Sequence, residues 1–306
     1  MTHLAVFAKN NQISMKQLAI FLSAFFLYTQ ACAQAILFEP GTISNNDAFA
    51  SSLSPDGKEF YFVKSYRGRS RLEIWMSEKK KQKWQAPAPV FDSLPYRYID
   101  PFITPDGKTL LFNSDHPAPG AVATRRFHIW KAERSNQGWS KPVYMYQLNS
   151  DSADFFATAD TRGNIYFSSA RDGKAGTTRI FIAKKEHDQL SDPVALDTII
   201  NASGTESNPF IAADGSYLIF LRSDGKGFGD SDLYISFRKA NGEWGHPVNM
   251  GAEINTDKGE FAPFVSADNN VLFFTRIVRG QPHSENIFYL SGFGQYLSRL
   301  KKDAGE

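Results

Sequence analysis

Ser54-Pro55-Asp56-Gly57-Lys58 precedes a strand-like run ending at Phe62, and Thr104-Pro105-Asp106-Gly107-Lys108 precedes a similar run ending at Phe112. In such a turn Pro presets φ at the first corner and Gly tolerates a positive φ at the end. Three looser copies, Asp160-Thr161-Arg162-Gly163, Ala212-Ala213-Asp214-Gly215 and Ser266-Ala267-Asp268-Asn269, lead to Phe167, Phe220 and Phe274. The last residues of the five turns lie 50, 56, 52 and 54 positions apart, the mark of a repeat protein.

Each repeat continues in the same way. A loop rich in Gly, Arg and Asp leads to a third alternating run: Leu72–Trp75, Phe127–Trp130, Arg179–Ile182, Asp232–Ile235 and Asn286–Tyr289. A fourth element follows as Trp139-Ser140-Lys141-Pro142-Val143, Leu190-Ser191-Asp192-Pro193-Val194 and Trp244-Gly245-His246-Pro247-Val248, with a looser copy at 84–90. Pro there marks an edge strand, which can spare the missing N–H. The 26 Phe and 12 Tyr suit half-buried strands. Four antiparallel strands per repeat make the blade of a β-propeller. The fifth repeat lacks a fourth element, and Leu37-Phe38-Glu39-Pro40 matches its spacing at the other end of the chain. The expected fold is all-β, a five-bladed β-propeller over 35–290 closed by an N-terminal strand, with 291–306 as a C-terminal tail. The Trp residues recur at repeat positions and are expected to pack between blades.

The Pro-Asp-Gly-Lys turns at 55–58 and 105–108, the copy from Glu206-Ser207-Asn208-Pro209-Phe210 through Asp232-Leu233-Tyr234, and Glu260–Phe264 together resemble the TolB-type, WD-repeat-like propeller family of bacterial envelope proteins. The resemblance covers 36–290 and implies the fold. It also implies an envelope setting, since such repeats sometimes stand beside a peptidoglycan-binding domain. The third repeat departs from the pattern at Asp160–Gly163.

Residues 1–33 hold no acid; Lys16 precedes an apolar run, and Ala31-Cys32-Ala33 follows it. This reads as a secretory signal peptide, with Met15 as an alternative start and a run too short to span a bilayer comfortably. The expected setting is periplasmic or secreted, with a second reading in which Cys32 carries a lipid anchor. No transmembrane span is expected after cleavage. Without Lys9 and Lys16 the 34 basic residues become 32, against 32 acidic ones, so the remaining chain is neutral. A balanced charge gives no basic face for nucleic acid. One cysteine excludes a disulfide framework, and the six histidines form no paired ligand motif, so neither metal nor cofactor is expected. The Asp224, Asp230 and Asp232 loop fits no calcium pattern.

Propeller topology collects on one face the loops that enter the inner strands and those that join second to third strands. That loop face gathers Asp47, Asp100, Asp154, Glu206 and Glu260, one acid per blade. Around them stand Arg222 and Arg276, with Lys64, Arg67, Arg69, Arg125, Arg126, Arg171, Lys174, Lys226, Arg279 and His283. Asp47, Asp100, Asp154, Glu206, Glu260, Arg222 and Arg276 are the candidate ligand-binding residues, either for a protein, peptide or glycan partner or as repeat-borne structural pairs. The expected function is non-enzymatic binding by a monomer or a member of an envelope complex. The alternative is a glycosidase or lyase using carboxylates in the central channel, since two carboxylates suffice for that chemistry. No catalytic residue is assigned, because the acids follow the repeat whereas a catalytic set breaks it.

Overall fold

The computed structural model describes residues 34–306 apart from 67, 92–94, 123–124, 173–175, 279 and 282–283. The signal-peptide and Cys32 readings, and Arg67, Lys174, Arg279 and His283, lie outside the described residues. Gln34–Glu306 form one compact unit.

Every Pro-Asp-Gly turn or its copy joins an inner strand to a second strand, and each pair continues outward through a third. Blade 1 runs Ala48–Leu53, Glu59–Tyr66 and Arg71–Lys80, with Ala88–Pro89 at its edge. Blade 2 runs Tyr98–Ile103, Thr109–Ser114, His128–Ser135 and Val143–Tyr144. Blade 3 runs Asp154–Ala159, Ile165–Ser169, Arg179–Ala183 and Val194–Ala195. Blade 4 runs Ser207–Ile211, Tyr217–Arg222, Asp232–Phe237 and Val248–Asn249. Blade 5 runs Gly259–Val265, Val271–Ile277 and Asn286–Ser291. Its outer strand is Ile36–Leu37 from the far end of the chain, with Ile36 opposite Tyr289 and Leu37 opposite Phe288. The fold is therefore a five-bladed β-propeller closed by an N-terminal strand. Phe38 locks that closure, its ring 4.5 Å from Phe60 and 5.1 Å from Phe273.

The outer strands are only two residues long. Trp139 of the expected fourth strand sits earlier, in a separate hairpin rung opposite Arg134. The Trp residues do pack between blades, as Trp84 does against Phe38 and Phe60. Residues 291–306 carry more order than a tail. Gly292, at φ 71, turns the third strand of blade 5 into an 11-residue helix, Phe293–Asp303. Its Phe293, Tyr296 and Leu300 are buried, and the Tyr296 hydroxyl donates to the Met250 carbonyl of blade 4.

One repeated device was not visible in the turn pattern. Each inner strand carries a register shift, at 49–51, 99–102, 155–158, 207–210 and 261–264. At each shift stands a non-glycine residue with positive φ: Ala50 (45°), Asp100 (55°), Phe156 (52°), Asn208 (51°) and Ala262 (52°). A strained bulge in all five blades is a feature of the fold that re-aims one side chain per blade. In three junctions the amide of this residue is held by the previous blade: Ala50 donates to Thr275 Oγ1, Phe156 to Asn113 Oδ1 and Asn208 to Ser168 Oγ.

Candidate functional site

Of the five acids expected to form one ring, three share one arrangement, while Asp47 and Asp100 stand apart. Asp154, Glu206 and Glu260 occupy equivalent positions, two residues before the bulge. Each is fully buried and bound to an arginine of its own blade: Arg171 Nη2 at 2.8 Å, Arg222 Nε at 2.9 Å and Arg276 Nε at 2.7 Å. The same arginines donate to the carbonyls of Leu148, Ile200 and Ile254 in the incoming loop. The carboxylates also accept from that loop, Asp154 from Ser150 N, Glu206 from Ser203 N and Gly204 N, and Glu260 from Thr256 N. Burial pushes the Glu260 carboxyl up, against its hydrogen bonds to Thr256 and Arg276. Next in the loop, Asn149, Asn201 and Asn255 each clamp both backbone groups of one third-strand residue: Ile129, Ile180 and Leu233. The Asn-then-acid spacing of five residues was readable in the sequence and was missed. Each arginine also lies over two rings of its blade, as Arg222 does over Phe220 and Tyr234 at 5.5 and 4.9 Å. Through Nε and Nη2 of the arginines and the carboxylate oxygens, these three ion pairs hold loops to blades.

Blades 1 and 2 break this repeat. At the register positions of Glu260 and Arg276, blade 1 has Ala48 opposite Lys64 and blade 2 has Tyr98 opposite Ser114. Asp47 lies one residue further out and bridges to Glu285 on the backbone. Lys64 sits over the Trp75 ring. In blade 2 the ring at that position, Trp130, meets His116 at 4.9 Å instead of a cation. Among the described residues His128 Nδ1 and Trp130 Nε1, both in this blade, are buried without a hydrogen-bond partner.

Asp100 is the acid that stands at the bulge itself. The bulge residues and those preceding them converge on the axis: Phe49, Ala50, Phe156 and Ala262 form one apolar cluster with Ile99, Phe127, Phe155 and Phe261. Asp100 is 8% exposed within this ring, and its carboxylate has no hydrogen-bond partner among the described residues. Burial pushes its carboxyl up to about 7, against the pull of the Arg69 guanidinium. Arg69 lies 4.6 Å over the Phe49 ring and is bound to Glu285. A desolvated carboxyl that changes charge near neutrality, set among rings, is the kind of group that functional sites contain.

Below this mouth the axis is filled. Phe102, Phe210 and Phe264 meet there, with rings 5.5 and 6.2 Å apart, and leave an apolar pit of about 160 Å³ on the turn face. Among the described residues no group of three His, Cys, Asp or Glu side chains could hold a metal, and no helix is long and apolar enough to cross a membrane.

Fold and site together define a five-bladed propeller with a desolvated acid, Asp100, set among rings on its loop face. No family model and no curated protein matches the chain. Several solved structures resemble it. The endo-arabinase from Bacteroides thetaiotaomicron VPI-5482 is 14% identical with a TM-score of 0.54, over 84% of this chain and 96% of that one. An alpha-L-arabinofuranosidase from Lactobacillus brevis is 13% identical with a TM-score of 0.53, over 81% and 92%. TolB from Acinetobacter baumannii is 13% identical with a TM-score of 0.46, over 82% of this chain but only 56% of its own length. Identities this low speak for the fold alone.

Proposed function

We propose that the chain is an exported propeller, secreted or periplasmic, that binds a protein, peptide or glycan partner on its loop face without transforming it. The first 33 residues serve as the export signal, and Asp100 with the rings around it forms the centre of the contact. One observation carries this reading: Asp154, Glu206 and Glu260 are each bound to an arginine, whereas Asp100 sits desolvated among rings with the Arg69 guanidinium as the charge it feels. Hydrolysis of a glycosidic bond calls for two carboxyl groups about 5–9.5 Å apart, each available to substrate or water. A single carboxyl among rings suits recognition.

A second reading, a carbohydrate-active enzyme, draws on the ability of Asp100 to carry a proton near neutral pH. The likeness to arabinan-degrading folds makes arabinan the first polymer to try. The two separate in one experiment. The chain and its Asp100→Asn variant are applied to a glycan array and to envelope extract, and each is incubated with arabinan while reducing ends are measured. Binding that weakens in the variant, with no release of reducing ends, supports the first reading. Turnover that the substitution abolishes overturns it in favour of the second.

A further inference from the structure

The junctions between blades are closed on the turn side by a recurring pair, a cation and an indole facing each other across a hairpin rung. Lys79 stands opposite Trp84, Arg134 opposite Trp139 and Arg238 opposite Trp244. The cations lie 5.4, 4.3 and 4.3 Å from the ring centres. The indoles reach back towards the preceding blade: Trp84 packs on Phe38, just past the closing strand of blade 5, as well as on Phe60 of its own blade, and Trp139 Nε1 donates to Tyr61 Oη of blade 1 at 3.1 Å. Arg238, beneath Trp244, donates to Tyr166 Oη. Between blades 4 and 5 the C-terminal helix does the same work, with Phe293 6.4 Å from Tyr217.

The junction of blades 2 and 3 has the rung but not the ring. Lys185 stands opposite Leu190, and Leu111 occupies the position that is Tyr61 one blade earlier. A cavity of about 480 Å³ opens there, floored by Leu111, Met145, Ile165 and Leu190, with no aromatic side chain in its lining. The groove between blades 5 and 1, about 460 Å³, is by contrast already lined by Phe38, Trp84, Phe273 and Tyr289. Among the described residues the Lys185 ammonium pairs only with Asp188, at 3.4 Å, whose side chain is 97% exposed, so solvent screens it.

We propose that this cavity receives an aromatic side chain, Trp above all, from a partner polypeptide, which completes the junction as Trp84, Trp139 and Trp244 complete theirs. The aliphatic floor takes the ring face, and the Lys185 ammonium lies over it as Arg134 and Arg238 lie over their indoles. A polypeptide is the fitting source, because a ring borne on a peptide segment fills each sister junction. The site lies on the turn side, so it is independent of the Asp100 mouth.

The probe is N-acetyl-Gly-Trp-Gly-amide, followed by methyl NMR of Leu111, Met145, Ile165 and Leu190. Saturable shifts at these methyls are expected in the parent chain and in Asp100→Asn alike. Leu190→Trp should supply the ring in cis, raising the melting temperature and abolishing the shifts. Lys185→Ala should keep the melting temperature and weaken binding about threefold. The inference is overturned by no saturable shift at millimolar peptide, by shifts that persist in Leu190→Trp, or by a Leu190→Trp chain that melts lower than its parent. Free indole binding where the tripeptide does not would also overturn it, making the occupant a small molecule.

Discussion

Replacing Asp100 with Asn should stabilise the protein in alkaline but not in acidic solution. Burial holds the Asp100 carboxyl at about 7 against an ordinary 3.8, with Arg69 opposing. The folded-state value lies above the unfolded one, so between these pH values the native chain keeps a proton that the unfolded chain has released. Stability from this group therefore falls as pH rises, from no penalty below pH 3.8 to the full penalty above pH 7. At about 1.4 kcal/mol per pH unit, the gap amounts to about 4 kcal/mol. Asn keeps the shape and has no charge to desolvate. Urea unfolding of both chains from pH 4 to pH 8 is the assay, read as a difference at each pH. The burial-shifted His128 and Glu260 are common to both chains and drop out of that difference. The variant should equal its parent within about 1 kcal/mol at pH 4 and exceed it by up to about 4 kcal/mol at pH 8. A difference that stays flat across the range would refute the desolvation argument, and with it the case for Asp100 as the centre of the site.

Two further outcomes follow from the packing. Phe38→Ala removes a ring wedged against Phe60, Trp84, Phe273 and Tyr289, and should cost about 3–5 kcal/mol. That is a fall of about 10 °C in melting temperature by circular dichroism, whereas a loss below about 1 kcal/mol would mean that Phe38 does not lock the ring. Arg222→Ala leaves the buried Glu206 charge without its partner and should cost about 3–5 kcal/mol in urea unfolding. Glu206→Gln in the same background should recover part of that loss; no recovery would show that packing, rather than charge, is what Arg222 supplies.

The fold was legible because its punctuation is local. A turn such as Ser54–Gly57 is specified by the residues inside it: Ser54 Oγ and Asp56 Oδ1 hydrogen-bond each other and receive the Lys58 amide. The closing strand was expected from the Leu37-Phe38-Glu39-Pro40 spacing and does form, but in another alignment: its pairing residues Ile36 and Leu37 precede Pro40, whereas the outer strand Val143–Tyr144 of blade 2 follows Pro142. The inner-strand bulge was not legible. Its positive φ falls on Ala, Asp, Phe, Asn and Ala, residues with no shared preference for that conformation, so what selects it lies elsewhere. Hydrogen bonds from neighbouring blades, Thr275 to Ala50 and Asn113 to Phe156, impose it across 225 and 43 residues of chain. The helix after Gly292 escaped notice for a similar reason: its buried face is defined by Tyr217 and Met250 on another blade.

The candidate site was visible as a list of acids but not as a sorting of them. In the sequence, Asp100 and Glu206 look alike, each shortly before a Pro in an inner strand. Two residues of offset separate them. Glu206, before the bulge, falls beside Arg222 and the loop amides; Asp100, on the bulge, is buried among rings, with the Arg69 guanidinium as the charge it feels. Repetition then becomes informative in reverse. Where the blades agree, as at Asp154, Glu206 and Glu260 with the arginine each one binds, the residues serve the architecture. Departures mark what the architecture does not explain: Asp100 with Tyr98 and Ser114 in blade 2, and Leu190 where its counterparts are Trp. A carboxylate whose desolvation outweighs the pull of Arg69, and a junction left without its ring, both lower the stability that a fully regular propeller would have. Where a natural protein breaks the local rules of its fold, functional sites are the first places to look.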